Sequence, residues 1–230
     1  MKQVKIFNSR GLGWLMALSL CAGPAAMAQA PEPIPLVNPS FEDNVLELPG
    51  SFTPEADGWV LATNSGKGTY RPDATDFNEP VPDGINVAYI NLGPNSLLQD
   101  TGELLEAGAT YTLTVEVGNR TDAGIADYQI TLEAEGDVLA TGTNPATPNG
   151  GFVTSTTVYE ATPDQAGRPL TIRLNSLATQ GLVQVNFDDV QLVKLSPVTP
   201  VTEVPTLSTF GLGLLALLIL GGGIFIRLRG

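Results

Sequence analysis

The chain reads as all-β, an antiparallel β-sandwich, and three observations carry that reading. In residues 110–117, TYTLTVEV, apolar Tyr111, Leu113, Val115 and Val117 alternate with Thr110, Thr112, Thr114 and Glu116, the period of a strand with one buried face. The same period returns in Tyr128, Ile130, Leu132 and Ala134 and in Leu170, Ile172 and Leu174, so several strands each supply half of an apolar layer. Two such sheets face to face close a core. Gly, Pro, Asn and Asp punctuate the intervals, and no stretch between the two chain ends has a convincing helical period. Spacing alone does not separate an immunoglobulin-like sandwich from a jelly roll.

In chain order, residues 29–36 form a Pro-rich leader, since the prolines of APEPIPL favour an extended path that links rather than packs. The sandwich domain is expected over residues 37–195, with strands around 58–62, 68–71, 86–92, 110–118, 128–134, 152–160, 170–175 and 183–195. In the last of these, Val183, Val185 and Phe187 share one phase and Val190 and Leu192 the other, with the switch at Asp188-Asp189. Either a β-bulge shifts the phase there and re-aims a carboxylate, or the strand is buried on both faces with the acids at its exposed end. Residues 139–151, LATGTNPATPNGG, hold too many turn formers for a strand and should be an exposed loop. Residues 196–205, SPVTPVTEVP, read as a semi-extended Pro/Thr/Val spacer.

The two ends predict export. Lys2, Lys5 and Arg10 precede an apolar run over residues 11–22, and Ala26-Met27-Ala28 has the small-x-small pattern of a signal-peptidase site, so residues 1–28 are a signal peptide and the mature chain begins at Gln29. Lipoprotein processing at Cys21 would need a small residue where Leu20 stands. Residues 206–230 carry an apolar run from Leu207 to Ile226 that suits a transmembrane helix, followed by Arg227 and Arg229. Positive charge at that point keeps the C-terminus cytoplasmic and the domain on the other side of the membrane.

Between the ends lie 24 acidic and six basic residues, a net charge of −18. Such a surface repels nucleic acid and suits calcium. The chain has no histidine, and its one cysteine, Cys21, lies in the signal segment. Ser-His-Asp and Cys-His nucleophiles, ordinary zinc sites and disulfides are thereby excluded from the mature protein, leaving carboxylates, tyrosines and carbonyls to do any chemistry.

Two resemblances follow from these residues. Val204-Pro205-Thr206-Leu207-Ser208, then Gly211, an apolar helix and terminal arginines, resembles the IPTL-CTERM sorting signal, a relative of PEP-CTERM on exported proteins of Gram-negative bacteria; it departs from that signal at Val204 and Phe210. The resemblance implies an exosortase-like membrane transpeptidase as partner, cleavage near this motif and transfer to the outer surface or extracellular matrix. A permanent membrane anchor is the alternative.

The blocks NPSFE at 38–42, Gly58-Trp59, PDGINVAY at 82–89, Thr110-Tyr111-Thr112-Leu113, Val117-Gly118-Asn119-Arg120 and VNFDDV at 185–190 are similar to galactose-binding-like, carbohydrate-binding-module-type jelly rolls, and within them to the hapalindole-type (Stig) cyclase branch. The resemblance implies a calcium ion held by Glu42 and by Asp188 or Asp189. In the cyclases it implies an aspartic acid as proton donor beside aromatic residues that shape a carbocation-like substrate; the matching residues are Asp188 and Tyr89, with Tyr70 as a second ligand-binding aromatic. A metal-bound carboxylate stays ionised, so Asp188 cannot serve both roles. Trp59 is expected in the core rather than as a sugar platform. The leading expectation is a calcium-stabilised, non-catalytic surface or matrix module that binds a glycan or small ligand; the alternative is a cyclase-like enzyme.

Overall fold

The computed structural model describes residues 29–61, 66–91, 95–179 and 181–198. The expected signal peptide, the expected sorting motif from Val204 to Ser208 and the apolar C-terminal run lie outside them, and among the described residues no helix is long and apolar enough to cross a membrane.

The strands in chain order are β1 (Glu32–Ile34), β2 (Phe52–Thr53), β3 (Val60–Leu61), β4 (Lys67–Tyr70), β5 (Val87–Ile90), β6 (Asn95–Leu104), β7 (Thr110–Asn119), β8 (Gly124–Ile125), β9 (Tyr128–Ala134), β10 (Asp137–Thr141), β11 (Gly151–Glu160), β12 (Pro169–Ser176) and β13 (Val183–Leu195). The larger sheet runs β11-β7-β13-β5-β4-β2, with β1 and β8 also paired to β13; the smaller runs β10-β9-β12-β6-β3. Apart from the parallel β8–β13 pair, the pairings are antiparallel.

The alternating runs form the core as their period requires. Tyr111, Leu113, Val115 and Val117 from β7 and Val185, Phe187 and Leu192 from β13 meet Ile130, Leu132, Leu170, Ile172 and Leu174 of the smaller sheet, all buried in one cluster. The Tyr128 ring meets Phe187 edge-on across the two sheets, with centroids 6.2 Å apart. Trp59 is buried, packs on Phe41 at 5.4 Å and donates its indole N–H to the Asn38 carbonyl, as expected of a core ring with a polar handle.

The bulge reading of the last strand holds, and of the other reading only the burial of both faces does, since Asp188 is buried in mid-strand and not at an exposed end. Asp188 pairs with Glu116 and Gln191 with Thr114, so β13 carries one residue more than β7, and Asp189 takes φ 43°. This is a bulge. The amide it frees, that of Val190, donates to the Pro39 carbonyl and ties the N-terminal loop to the strand. From Gln184 to Asp188 the strand is also buried at every position.

Three expectations are corrected. Residues 32–34 do not simply link: β1 pairs with residues 192–194 of β13 and buries Ile34, so the sandwich begins before residue 37. Pro33 fits there because β1 lies off the main strand path, where a missing N–H costs little. The ten-residue β6 was not expected, because NSLLQDTGEL lacks a period of two; its pairing with β12 holds it. The turn-rich loop starts later than residue 139, since β10 runs to Thr141 against β9.

Candidate functional site

The strands β4, β5 and the first half of β13 turn a second set of side chains away from the core. Tyr70, Val87 and Tyr89 form a separate buried cluster with Val81 and Phe152 packed against it. Phe152 pairs with Gly118, where a Cβ would stand 2.6 Å from the Phe152 ring, so this glycine makes room for the aromatic side chain. Segments 72–85 and 120–123 supply the cover, through Val81 on this cluster and through Arg120 on the Tyr70 ring.

Beside the cluster opens a cleft of about 630 Å³, lined by Phe52, Tyr70, Tyr89, Arg120, Leu182 and Gln184 among others. Tyr89 stands edge-on to both Phe52, at 5.9 Å, and Tyr70, at 6.5 Å. The Tyr70 hydroxyl donates to Asp76 Oδ2 at 2.5 Å, and the Arg120 guanidinium lies 4.8 Å from the Tyr70 ring centroid while its Nη2 contacts Asp76 Oδ1 at 2.6 Å. Burial, then the bond to Asp76, pushes the Tyr70 phenol well above its ordinary pKa, and burial raises Tyr89 too. Both phenols stay neutral donors at physiological pH.

Asp188 is fully buried. Its Oδ2 accepts the Asp83 N–H at 3.0 Å and its Oδ1 the Asp189 N–H at 2.8 Å. Desolvation nonetheless dominates, and the carboxyl is pushed up to about 8, so at neutral pH it holds its proton. Glu42 Oε1 accepts the N–H groups of Ile85 and Asn86, and Gly84 between Asp83 and Ile85 leaves no room for a Cβ, which would lie 2.3 Å from Glu42 Oε1. Ser40 donates to Asp83 Oδ2. Asp189 is half-buried and accepts from the Gln191 amide.

The structure thus brings Tyr70 and Tyr89 together in the cleft, and Glu42 and Asp188 onto the one 83–86 turn. It does not put Asp188 in the lining of the cleft. Tyr89 pairs with Asn186, two residues before Asp188 on the same strand face, a separation of about 7 Å along β13. For calcium, Glu42 and Asp188 already receive amide N–H groups, and among the described residues no three metal-ligating side chains gather. A cation held by Glu42 would draw most of its ligands from carbonyls. Asp76 escaped the sequence reading and Arg120 entered it only as the end of the Val117–Arg120 block, with no role: 44 residues separate the two, and no local pattern announces the pair.

A two-sheet, jelly-roll-type sandwich with an aromatic cleft on one sheet defines a class of carbohydrate-binding-like folds. The fold is shared with the tandem CBM22 domain of Xyn10C from Paenibacillus barcinonensis, with TM-score 0.50 and 15% identity over 79% of this chain and 50% of that one. The chain belongs to the HpiC1-like family (HpiC1 cyclase), which matches residues 32–193. Among solved structures it is similar to the Stig cyclase Fisc from Fischerella sp. TAU in complex with (3Z)-3-(1-methyl-2-pyrrolidinylidene)-3H-indole, with TM-score 0.66 and 27% identity over 74% of this chain and 100% of that one. It is also similar to a cyclase from Fischerella sp. TAU in complex with 4-(1H-indol-3-yl)butan-2-one, with TM-score 0.63 and 26% identity over 73% and 99%. A comparison with curated proteins gives no match.

Proposed function

We propose that this protein is a Stig-cyclase-type enzyme that binds an indole-bearing substrate in the cleft and closes a ring by proton transfer from a carboxylic acid. The observation that carries the reading is the aromatic wall of Phe52, Tyr70 and Tyr89 around one cleft in a chain of the HpiC1-like family. Two similar cyclase structures hold indole compounds. The π faces of the tyrosines favour developing positive charge. Asp188 is the proposed donor: its proton goes to the substrate, and its carboxylate recovers one from the cyclised product. Asp188 is buried and outside the cleft lining, so the cover over it has to open for that transfer. This reading replaces the non-catalytic module as the leading one, since the carbohydrate-binding likeness supports the fold alone.

Calorimetric titration with 4-(1H-indol-3-yl)butan-2-one tests the cleft. Saturable binding, weakened about tenfold or more in Tyr89→Ala, is expected from the loss of a buried ring contact; a wild-type protein that does not bind overturns the reading.

Export, the sorting tail and its exosortase-like partner are proposed with the same enzyme, placing it at the outer surface or in the extracellular matrix; an apolar run followed by Arg227 and Arg229 supports this. Mass spectrometry of surface material that still carries the chain through Arg229 would overturn the sorting step. Calcium is proposed at Glu42 and Asp189, each with one carboxylate oxygen free of hydrogen bonds among the described residues, which leaves Asp188 to proton donation.

A further inference from the structure

We infer that Asp76 and Arg120 clamp Tyr70 as a fixed wall of the cleft and, with Asp122, make the cleft prefer neutral and cationic aromatic ligands over anionic ones. The inference rests on the cleft being the substrate site.

Tyr70 is held at two points. Its hydroxyl donates to Asp76 Oδ2, which also accepts the Asp73 N–H at 2.7 Å. One face of the ring lies against the Arg120 guanidinium, which itself contacts Asp76. The clamp is anchored from behind, since Thr121 N–H donates to the Asp76 carbonyl and the Thr121 hydroxyl to the Thr75 carbonyl. The Asp76 side chain is 4% exposed and that of Arg120 16%, so the ion pair is shielded enough to hold geometry. Tyr70 in turn sets the edge-on angle of 76° to Tyr89. A Tyr70 free to tilt would blur the wall a flat ligand has to meet.

The same atoms decide charge preference. Arg120 spends its Nε and one Nη2 bond on Asp122, another Nη2 bond on Asp76 and an Nη1 bond on Gln184. Of the five N–H groups of a guanidinium only one is left. An incoming carboxylate finds almost no donor, while Asp76 and Asp122 outnumber the one cation and Asp122, 60% exposed, lines the cleft. The local charge is negative, and so is the surrounding domain, which adds repulsion of anions.

Three probes of similar shape test the preference: neutral 4-(1H-indol-3-yl)butan-2-one, cationic tryptamine and anionic indole-3-acetate. The full chain should bind the first two about tenfold tighter than the third, and Asp122→Asn should narrow the tryptamine to indole-3-acetate ratio by roughly threefold or more. Arg120→Lys keeps the charge but loses the fork; it and Tyr70→Phe should each weaken the neutral probe by roughly fivefold, and the double variant no more than the worse single, because one positioning unit has been broken. Tyrosine labelled at Cζ and read by NMR needs no ligand: Asp76→Asn and Arg120→Lys should move the Tyr70 resonance and its titration while Tyr111 and Tyr128 stay in place. Anion binding as tight as that of the neutral probe overturns the charge preference. An unmoved Tyr70 resonance in both variants overturns the clamp. If wild type binds none of the probes the substrate reading fails, and the NMR result still decides the clamp.

Discussion

The outer faces of the two sheets are made by the same alternation of side chains and have different fates. On the smaller sheet Arg173 reaches Glu133 at 2.7 Å and Ser96 at 3.3 Å, and Thr131 donates to Glu133. Thr131 and Glu133 are buried here too, but as polar groups that satisfy one another and Arg173, whose side chain is 29% exposed. On the larger sheet the outward residues are Tyr70, Val87, Tyr89, Asn186 and Asp188, buried beneath loops. Covering a face changes its chemistry: a carboxyl group that would be ionised in the open keeps its proton at neutral pH, and tyrosines become the wall of a cleft. The cover of the larger sheet comes from segments 72–85 and 120–123, through Val81 and Arg120.

The sharpest test of this contrast replaces one acid on the covered face. Asp188→Asn should lower turnover of an indole-bearing substrate by about 10³-fold, the scale of a lost general acid, with binding of the indole probe within about twofold of wild type. Equal loss of binding would show that Asp188 shapes the face instead of supplying a proton. The acid must be protonated to act, so wild-type turnover should fall as pH rises through about 8.

The same group gives a smaller effect on stability, of determinate sign. Its folded pKa of about 8 lies above the ordinary carboxyl value, so its contribution is fully present below the unfolded pKa and is lost as pH rises through the folded one. Between pH 5 and 9 the wild-type melt should therefore fall by roughly 10 °C more than that of Asp188→Asn. A parallel pH dependence in the two proteins would remove the buried neutral acid from the account. Chelation with EDTA should lower the melt by a few degrees if calcium ties Glu42 to the bulge; an unchanged melt leaves the N-terminal loop held to the bulge by the Val190 N–H to Pro39 carbonyl bond without calcium. The smallest effect on turnover belongs to the other face, where Arg173→Ala strips Glu133, 6% exposed, of its cation and should cost about 2 kcal/mol of stability while leaving turnover within about twofold. A large loss of turnover from Arg173→Ala would end the distinction between the faces.

Much of the fold is legible along the chain where the two faces of a strand differ in polarity. The strands β7, β9 and β12 show their period of two, and the phase switch at Asp188-Asp189 marks the bulge that the register confirms. The strand β6 is illegible because adjacent Leu97 and Leu98 break the alternation, and β1 because Pro33 signals a linker. In the site, Tyr70 and Tyr89 stand out as aromatic residues, and β4 and β5, buried throughout, put them on neighbouring strands. Asp76 and Arg120 are ordinary charges in loop-like sequence. Nothing local distinguishes them from a solvated pair.

By itself the sequence determined that residues 37–195 are a two-layer antiparallel sandwich without histidine or cysteine, because alternation and composition are local properties that any compact chain must obey. Which outer face is covered, which acid is kept neutral and which ring is clamped were decided only in the tertiary structure. Those outcomes depend on contacts such as Asp83 N–H to Asp188 across 105 residues and Arg120 to Asp76 across 44, and desolvation is a property of the assembled surroundings, not of the residue.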